Sequence, residues 1–506
     1  MTKRLGAAVC LLAAAVSCAG ACGANGKAAR SAFIYRSAEP NPQDSAEPLT
    51  DHTKVSEQSL LIRDPRVLDS AEFDSCPTET EEKPAPCNEA KGKWSFAQVF
   101  RRGMAVGGKT TPAPPDVQTA IDAWRKDLEA KYDPGDGSLI HADSSLNQTV
   151  LDNFEKAWGG ESGGYPASRI PVRLLAIVNR IDTAVPDLVA CASQGQADKD
   201  MSGSEIRFEF AGVQAQVAPA AFDYLRIIVE FVLPCQSSTD PNQFPRLARD
   251  WYSLSTLDIG SAAYRDKLSQ TLDYWVPRAA KARVRIAGAS AGSNWTVREY
   301  VFQPDGNLVG ESLERDLPGE LAMCWPLTSP LGRFASGHDT AIRANRYEFT
   351  ERALSAREQS IKTTQQGVLG LDRAVAPGGD LEKLRHALSI NTCRGCHTTE
   401  TGTNGLHLGQ RTKGKRSQIS GFLSGASSHG WCTGGDGDGD AQSYCAPRIV
   451  TPEGCPAGAS ATPYHYNDLL RRHLYLDTVV NPPKGTSPGA RDWYSKLIGY
   501  ASLQIH

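Results

Sequence analysis

Methionine is nearly missing from this chain. Only Met1, Met104, Met201 and Met323 occur in 506 residues, and none follows position 323. A surplus of one charge is missing too: 54 Lys and Arg stand against 57 Asp and Glu, for a formal net charge of -3. That balance excludes bulk electrostatic capture of nucleic acid as the basis of function, so no nucleic-acid partner is expected. Beyond the first residues no apolar run is long enough to cross a bilayer, so the mature chain is expected to be tethered or free. The sequence has no glycine-rich phosphate loop, no His-Glu-x-x-His and no basic–aromatic strip. Internal repeats are absent as well.

Cysteine, by contrast, is plentiful, with 13 residues. What they do depends on compartment, and the first residues speak to that. In MTKRLGAAVCLLAAAVSCAG, Lys3 and Arg4 form a positive start and Leu5 to Val16 an apolar stretch, predicting an export signal over residues 1–17. Ala14-Ala15-Val16-Ser17-Cys18 resembles a bacterial lipobox. Cys18 is then the lipidation site, and the membrane a partner through an N-terminal lipid anchor in the cell envelope. Ala19-Gly20-Ala21 offers an ordinary cleavage site as the alternative. In an oxidising compartment cysteines pair, and the disulfide candidates are Cys76, Cys87, Cys191, Cys235, Cys432 and Cys445; the nearest pairs are Cys76 with Cys87 and Cys191 with Cys235, Cys432 and Cys445 bound an acidic loop, and the connectivity is open.

Residues 18–60 are small, polar and proline-dotted, a flexible tether. Residues 61–164 form a helical and looped N-terminal region in which Val117, Ile121, Trp124 and Leu128 share a helix face. From 165 to 337 the period changes. IPVRLLAIVNRID is a buried-strand run, and EIRFEFAG alternates Ile206, Phe208 and Phe210 against charged residues, as a half-buried strand does. DYLRIIVEFVLPC, KARVRIAGA and NWTVREYVFQPDGNLVG continue the pattern, with Pro304-Asp305-Gly306 as a hairpin turn. Two helical segments, around 240–257 and 263–276, interrupt them. The fold class is α+β: an antiparallel-sheet central domain, then a mostly helical, cytochrome c-like region over 338–506. In that region HDTAIRANRYEFTERALSAREQSIKTT, DLEKLRHALSI and YNDLLRRHLYLDTVV all carry helical spacing.

The chemistry concentrates in SINTCRGCHTTE. Two thiols three residues apart, with an imidazole directly after, suit covalent haem: both sulfurs reach the porphyrin vinyl groups and His397 lies under the iron. Composition alone yields ~0.007 such matches in a chain like this, so the pattern is specific. The segment resembles the c-type cytochrome attachment site, which implies Cys393 and Cys396 as thioether sulfurs, His397 as the proximal iron ligand and haem c as cofactor. With no methionine downstream, the second ligand would be His407, His429, His465 or His473, or come from upstream, and His407 in GLHLGQR is the nearest. Two other chemistries fit the same residues. One is a local Cys393–Cys396 disulfide. The other is zinc on Cys393, Cys396, His407 and a fourth ligand. The basic residues Arg411, Lys413, Lys415 and Arg416 read as a solvated loop or as partners for haem propionates.

Two rival signals remain. Gly288-Ala289-Ser290-Ala291-Gly292 fits the Gly-x-Ser-x-Gly nucleophile elbow, with Ser290 as nucleophile, but the elbow needs a helix next and NWTVREYVFQ reads as a strand. Asp436, Asp438 and Asp440 alternate with glycines as calcium loops do, yet Ala441 and Pro447 stand where an EF-hand needs Gly and Glu, leaving weak calcium binding at most. Together NTCRGCH, GLHLGQR, PVRLLAIVNRID, EIRFEFAG and IIVEFVLP resemble a group of large bacterial envelope lipoproteins over residues 165–480. The resemblance implies a shared architecture and brings no activity with it. The sequence therefore points to an exported lipoprotein with one covalent haem for electron transfer or redox sensing, with an unknown redox partner and no catalytic residues. The alternatives are a non-enzymatic surface scaffold and a Ser290 hydrolase.

Overall fold

Alternating apolar and charged residues in five consecutive runs build one antiparallel meander. The computed structural model describes residues 54–75, 92–129, 172–183, 202–212, 226–234, 243–289 and 294–311, and beyond them 324–325, 330–339, 342, 358–362, 370–371, 380–390, 392, 396–397, 406–409, 414–424, 448–449, 463–464 and 468–482. The strands are β1 (Leu61–Ile62), β2 (Val172–Arg180), β3 (Ser202–Gly212), β4 (Arg226–Pro234), β5 (Lys281–Ala289), β6 (Asn294–Phe302) and β7 (Leu308–Glu311), each paired with the next. Four of the expected strand runs thus match β2 to β5, and the fifth becomes the β6–β7 hairpin. Its turn closes through Gly306 N–H donating to Gln303 O at 2.8 Å, with Gly306 at φ 91°, where a side chain would be strained.

Pairing puts β-branched and aromatic residues of alternate positions on one face of the sheet. Phe208, Phe210, Val229, Phe231, Val284, Ile286, Tyr300 and Phe302 are all buried there. The cover is α1-flanked: after the short α1 (Pro65–Leu68) come α2 (Phe96–Val106) and α3 (Pro114–Glu129). In α2, Phe96, Val99, Phe100, Gly103 and Met104 form a stripe at i, i+3, i+4, i+7 and i+8, the spacing that buries one helix side. Aromatic contacts fasten it: Trp94 stacks on Phe208 at 5.3 Å, and Phe100 meets Phe302 edge-on at 4.9 Å. The helices α4 (Gln243–Tyr252) and α5 (Ala262–Trp275) lie between β4 and β5 in sequence. Ser261 caps α5 by accepting from Tyr264 N–H at 3.1 Å.

Two expectations need correction. The segment read as helix between His338 and Thr364 contains a strand, β9 (Glu358–Lys362), which pairs with β6 along residues 294–298. There β6 has no β7 to bond, because β7 covers only 299–302. Hydrogen-bonding that edge outweighs a local helical preference. Second, the charged face of the sheet is not a solvent face. Glu205, Arg207, Glu230, Arg283, Arg285 and Glu299 are all buried.

The remaining described elements include β8 (Cys324–Trp325) with β10 (Gly370–Leu371), α6 (Pro330–Gly337), α7 (Asp380–Ile390), α8 (Gly421–Ser424) and α9 (Asp468–Val480). The expected helices at 380–390 and 468–480 are present. Among the described residues no helix is long and apolar enough to cross a membrane.

Candidate metal centre

Helix α7 delivers the first part of the site. Leu384, Ala387, Leu388 and Ile390 bury its inner side. Its end is closed by Thr392, whose N–H and hydroxyl both donate to Ser389 O, at 3.0 and 2.8 Å. Cys396 N–H then donates to Thr392 O at 2.9 Å, which ties Cys396 to the residue that closes the helix. Cys396 is fully buried and His397 is 6% exposed.

A short ribbon delivers the second part. Leu408 bridges Ile419 in antiparallel fashion, Gly409 N–H donates to Gln418 O and Ser420 N–H to His407 O, both at 2.8 Å. Gly414, at φ 75°, lies in the connection between the two arms. Its N–H donates to Asp69 Oδ2 at 3.1 Å, and Arg416 donates to Glu57 at 2.9 Å and Asp64 at 2.7 Å. Arg416, read from sequence as part of a solvated or propionate-binding basic run, therefore ties the ribbon to the N-terminal segment. Arg226 of β4 donates to Leu408 O at 3.2 Å, which docks the ribbon on the sheet.

These two parts meet. Cys396 Sγ lies 2.9 Å from His407 Nε2, the His397 and His407 rings are 4.5 Å apart, and one donor atom from each of the three residues falls within 4.8 Å of the others. Ser420 Oγ lies 2.9 Å from His407 Nδ1, and the Phe422 ring 4.9 Å from the His407 ring. Burial pushes the Cys396 thiol well above its usual range, helped by Asp468. Burial, with His397 beside it, holds His407 well below the usual imidazole range. Both groups are thus neutral without an ion, and hydrogen bonds join Cys396 Sγ to Nε2 and Ser420 Oγ to Nδ1. A serine on Nδ1 is what presents Nε2 as a ligand.

No protein-family profile, no curated protein and no solved structure matches the chain.

The fit to an ion and to haem differs. Tetrahedral zinc, with Zn–S near 2.3 Å and Zn–N near 2.0 Å, sets sulfur and nitrogen about 3.5 Å apart, a small opening from 2.9 Å. Two imidazoles on opposite sides of a haem iron have ring centres roughly 6 Å apart, with the porphyrin between them. At 4.5 Å, with Cys396 Sγ against His407 Nε2, this pair leaves no room for that plane.

The cavity beside the site is charged. His397 and His407 line a small cleft whose sheet wall carries Arg180, Arg207, Arg226 and Arg285. Behind it, Arg207 pairs with Glu205 and Glu230 at 2.5 and 3.0 Å, and Arg285 with Glu230 and Glu299 at 3.0 and 2.7 Å. Burial alone would raise the Glu205 carboxyl, but Arg207, Arg283 and Arg285 outweigh it and hold it at about 2. From α9, Arg471 and Arg472 reach Asp182 and Asp468.

Among the residues singled out in the sequence, Cys396, His397 and His407 come together. Cys18, Cys76, Cys87, Cys191, Cys235, Ser290, Cys393, His429, Cys432, Cys445, His465 and the Asp436–Asp440 loop lie outside the described residues. The strands flanking Ser290 are adjacent and antiparallel, Lys281–Ala289 and Asn294–Phe302, so the helix an elbow requires does not follow. His473 lies on α9 and is not in the cluster. Ser420 and the arginine wall were missed. Opposite charges at matching positions of successive strands, as in IRFEF, IVEFV and ARVRI, were the available signal.

Proposed function

We propose that this chain is an exported, lipid-anchored envelope protein that holds one transition-metal ion on Cys396, His397 and His407, with Cys393 as the fourth ligand. What carries the reading is the convergence of one sulfur and two imidazoles, buried, within 4.8 Å, with Ser420 orienting His407 from behind. Two sulfurs and two nitrogens in a tetrahedral set are the preference of zinc, and such a closed set makes a structural site. When bound, the ion supplies a cross-link between the end of α7 and the ribbon. The residues around it hold the donors, exclude water and release the Cys396 proton as the site fills. The test is cobalt substitution. Tetrahedral thiolate–cobalt absorption is expected from the full chain and is lost in Cys396→Ser and His407→Ala. A colourless cobalt-treated protein, or variants that keep the spectrum, would refute the site.

A second reading has its own support. The Cys393-x-x-Cys396-His397 spacing is that of haem c attachment, and the cleft beside His397 is lined by arginines suited to propionates. In that reading His397 is the proximal ligand, His407 swings away, and the function is electron transfer or redox sensing. A Soret band that stays with the chain after acid-acetone extraction selects it.

A further inference from the structure

We infer that Arg416 is a positioning residue of the metal centre: it clasps the His407 ribbon to the N-terminal segment and so sets how fast an ion enters and leaves. The inference rests on the metal reading and adds to it a residue outside the donor set.

The ribbon has two ends with different anchors. At one end its arms meet through Ser420 N–H and His407 O, at the level where His407 faces Cys396. Beyond the next contact, Gly409 N–H to Gln418 O, the other end meets the N-terminal segment. There the Arg416 fork spans two carboxylates, Nη1 on Glu57 at 2.9 Å and Nη2 on Asp64 at 2.7 Å. Asp64 is itself fixed: it caps α1 by accepting from Arg66 N–H at 2.9 Å, and it is 3% exposed. Arg63, from the same segment, donates to the Ser417 carbonyl beside Arg416.

Of the three donors brought together, Cys396 and His397 follow α7, and His407 alone belongs to the ribbon. Cys396 is fully buried, so a bound ion is exchanged only when the ribbon lifts. Lifting must first break a guanidinium shared between two carboxylates, one of them buried, the strongest kind of polar contact on the ribbon. The donor end holds by other means: Leu406, Leu408, Phe422 and Leu423 are buried. Loss of the clasp therefore loosens the ribbon without removing it. Opening precedes both entry and exit. A weaker clasp quickens both by the same factor and leaves affinity nearly unchanged. That distinguishes Arg416 from a residue directly behind a ligand, such as Ser420, whose loss changes affinity.

Cobalt exchange in the full-length protein tests it. Association is read from the growth of thiolate–cobalt absorption on mixing with cobalt, and release from its decay in excess chelator. Arg416→Ala is expected to speed both roughly tenfold, with the equilibrium affinity changed less than about threefold. Arg416→Lys keeps the charge but not the two-point fork, and should give intermediate rates. Glu57→Gln removes one of the two partners and should speed both rates roughly threefold, which keeps the test open if Arg416→Ala folds poorly. Raising the ionic strength should quicken release in the native chain and do little in Arg416→Ala. Circular dichroism verifies that each variant folds. A cobalt band whose rates ignore Arg416→Ala and Glu57→Gln, or a loss of affinity carried by release alone, would overturn this inference and leave the metal reading standing. No cobalt band in the native chain would overturn both.

Discussion

At His407 a single side chain joins three partners: Cys396 on Nε2, Ser420 on Nδ1 and Phe422 against the ring. Ser420 is fully buried and fixes which nitrogen faces the sulfur. Its loss should be felt by the ion and hardly by the fold. Ser420→Ala is expected to lower metal affinity roughly 10- to 100-fold, as removal of a hydrogen bond behind a ligating histidine does. Competition with a chelating dye reads this directly, and an unchanged affinity would remove Ser420 from the site. The donors Cys396, His397 and His407 were legible in the sequence because their residue types and spacing are restrictive. Ser420 was not, because a serine in a polar loop carries no periodicity and its role exists only once the ribbon folds back. The same limit hid the convergence of the cluster: nine intervening residues say that His407 can reach His397, but not that Cys396 Sγ meets His407 Nε2.

Among the elements, β2 announced itself as a continuous apolar run and β3 to β7 through alternation and β-branched or aromatic residues, and the helices α3, α4, α5, α7 and α9 through helical spacing; α2, although its stripe is regular, was not singled out. β9 did not announce itself, because a strand that completes an edge takes its reason from β6 and not from its own sequence. The burial of the charged sheet face was likewise invisible, since alternation looks identical whether the polar side meets water or other charges. Packing of α2 offers a sharp test. A Cβ at Gly103 would overlap the Phe302 ring, so Gly103→Ala should destabilise the protein by about 1–3 kcal/mol although alanine favours helix. Urea unfolding measures it, and a neutral or stabilising result would mean that the helix stands further from β6. The ribbon makes a pH prediction. Burial opposes ionisation of Asp64, but Arg66 and Arg416 prevail and lower its carboxyl from 3.8 to about 2. A carboxyl depressed in the folded state stabilises above its unfolded value, and that contribution is lost as pH falls from about 4 through about 2. Arg416→Ala should therefore cost stability at pH 7, with the deficit shrinking across that window. Chemical denaturation at several pH values follows it, and a deficit constant from pH 7 to pH 2 would contradict the Asp64 linkage.

For the molecule as a whole, the N-terminal segment, the sheet and the C-terminal segments converge on one place. Arg416 binds Asp64 and Glu57, Arg226 binds Leu408, and Arg471 binds Asp182. An ion at Cys396 would add one more association, the α7 turn onto the ribbon. Removing it with a chelator should raise amide exchange over 396–424 while β2 to β6, held by their own ladder and aromatic core, stay protected. Uniform loss of protection across the sheet would show that the ion governs global folding instead. The most direct measurement is elemental analysis with an absorbance spectrum on the full-length protein. The metal reading predicts one zinc or similar ion per chain and no Soret band. A covalently retained Soret band, or metal-free protein with Cys396 joined to Cys393, would contradict it.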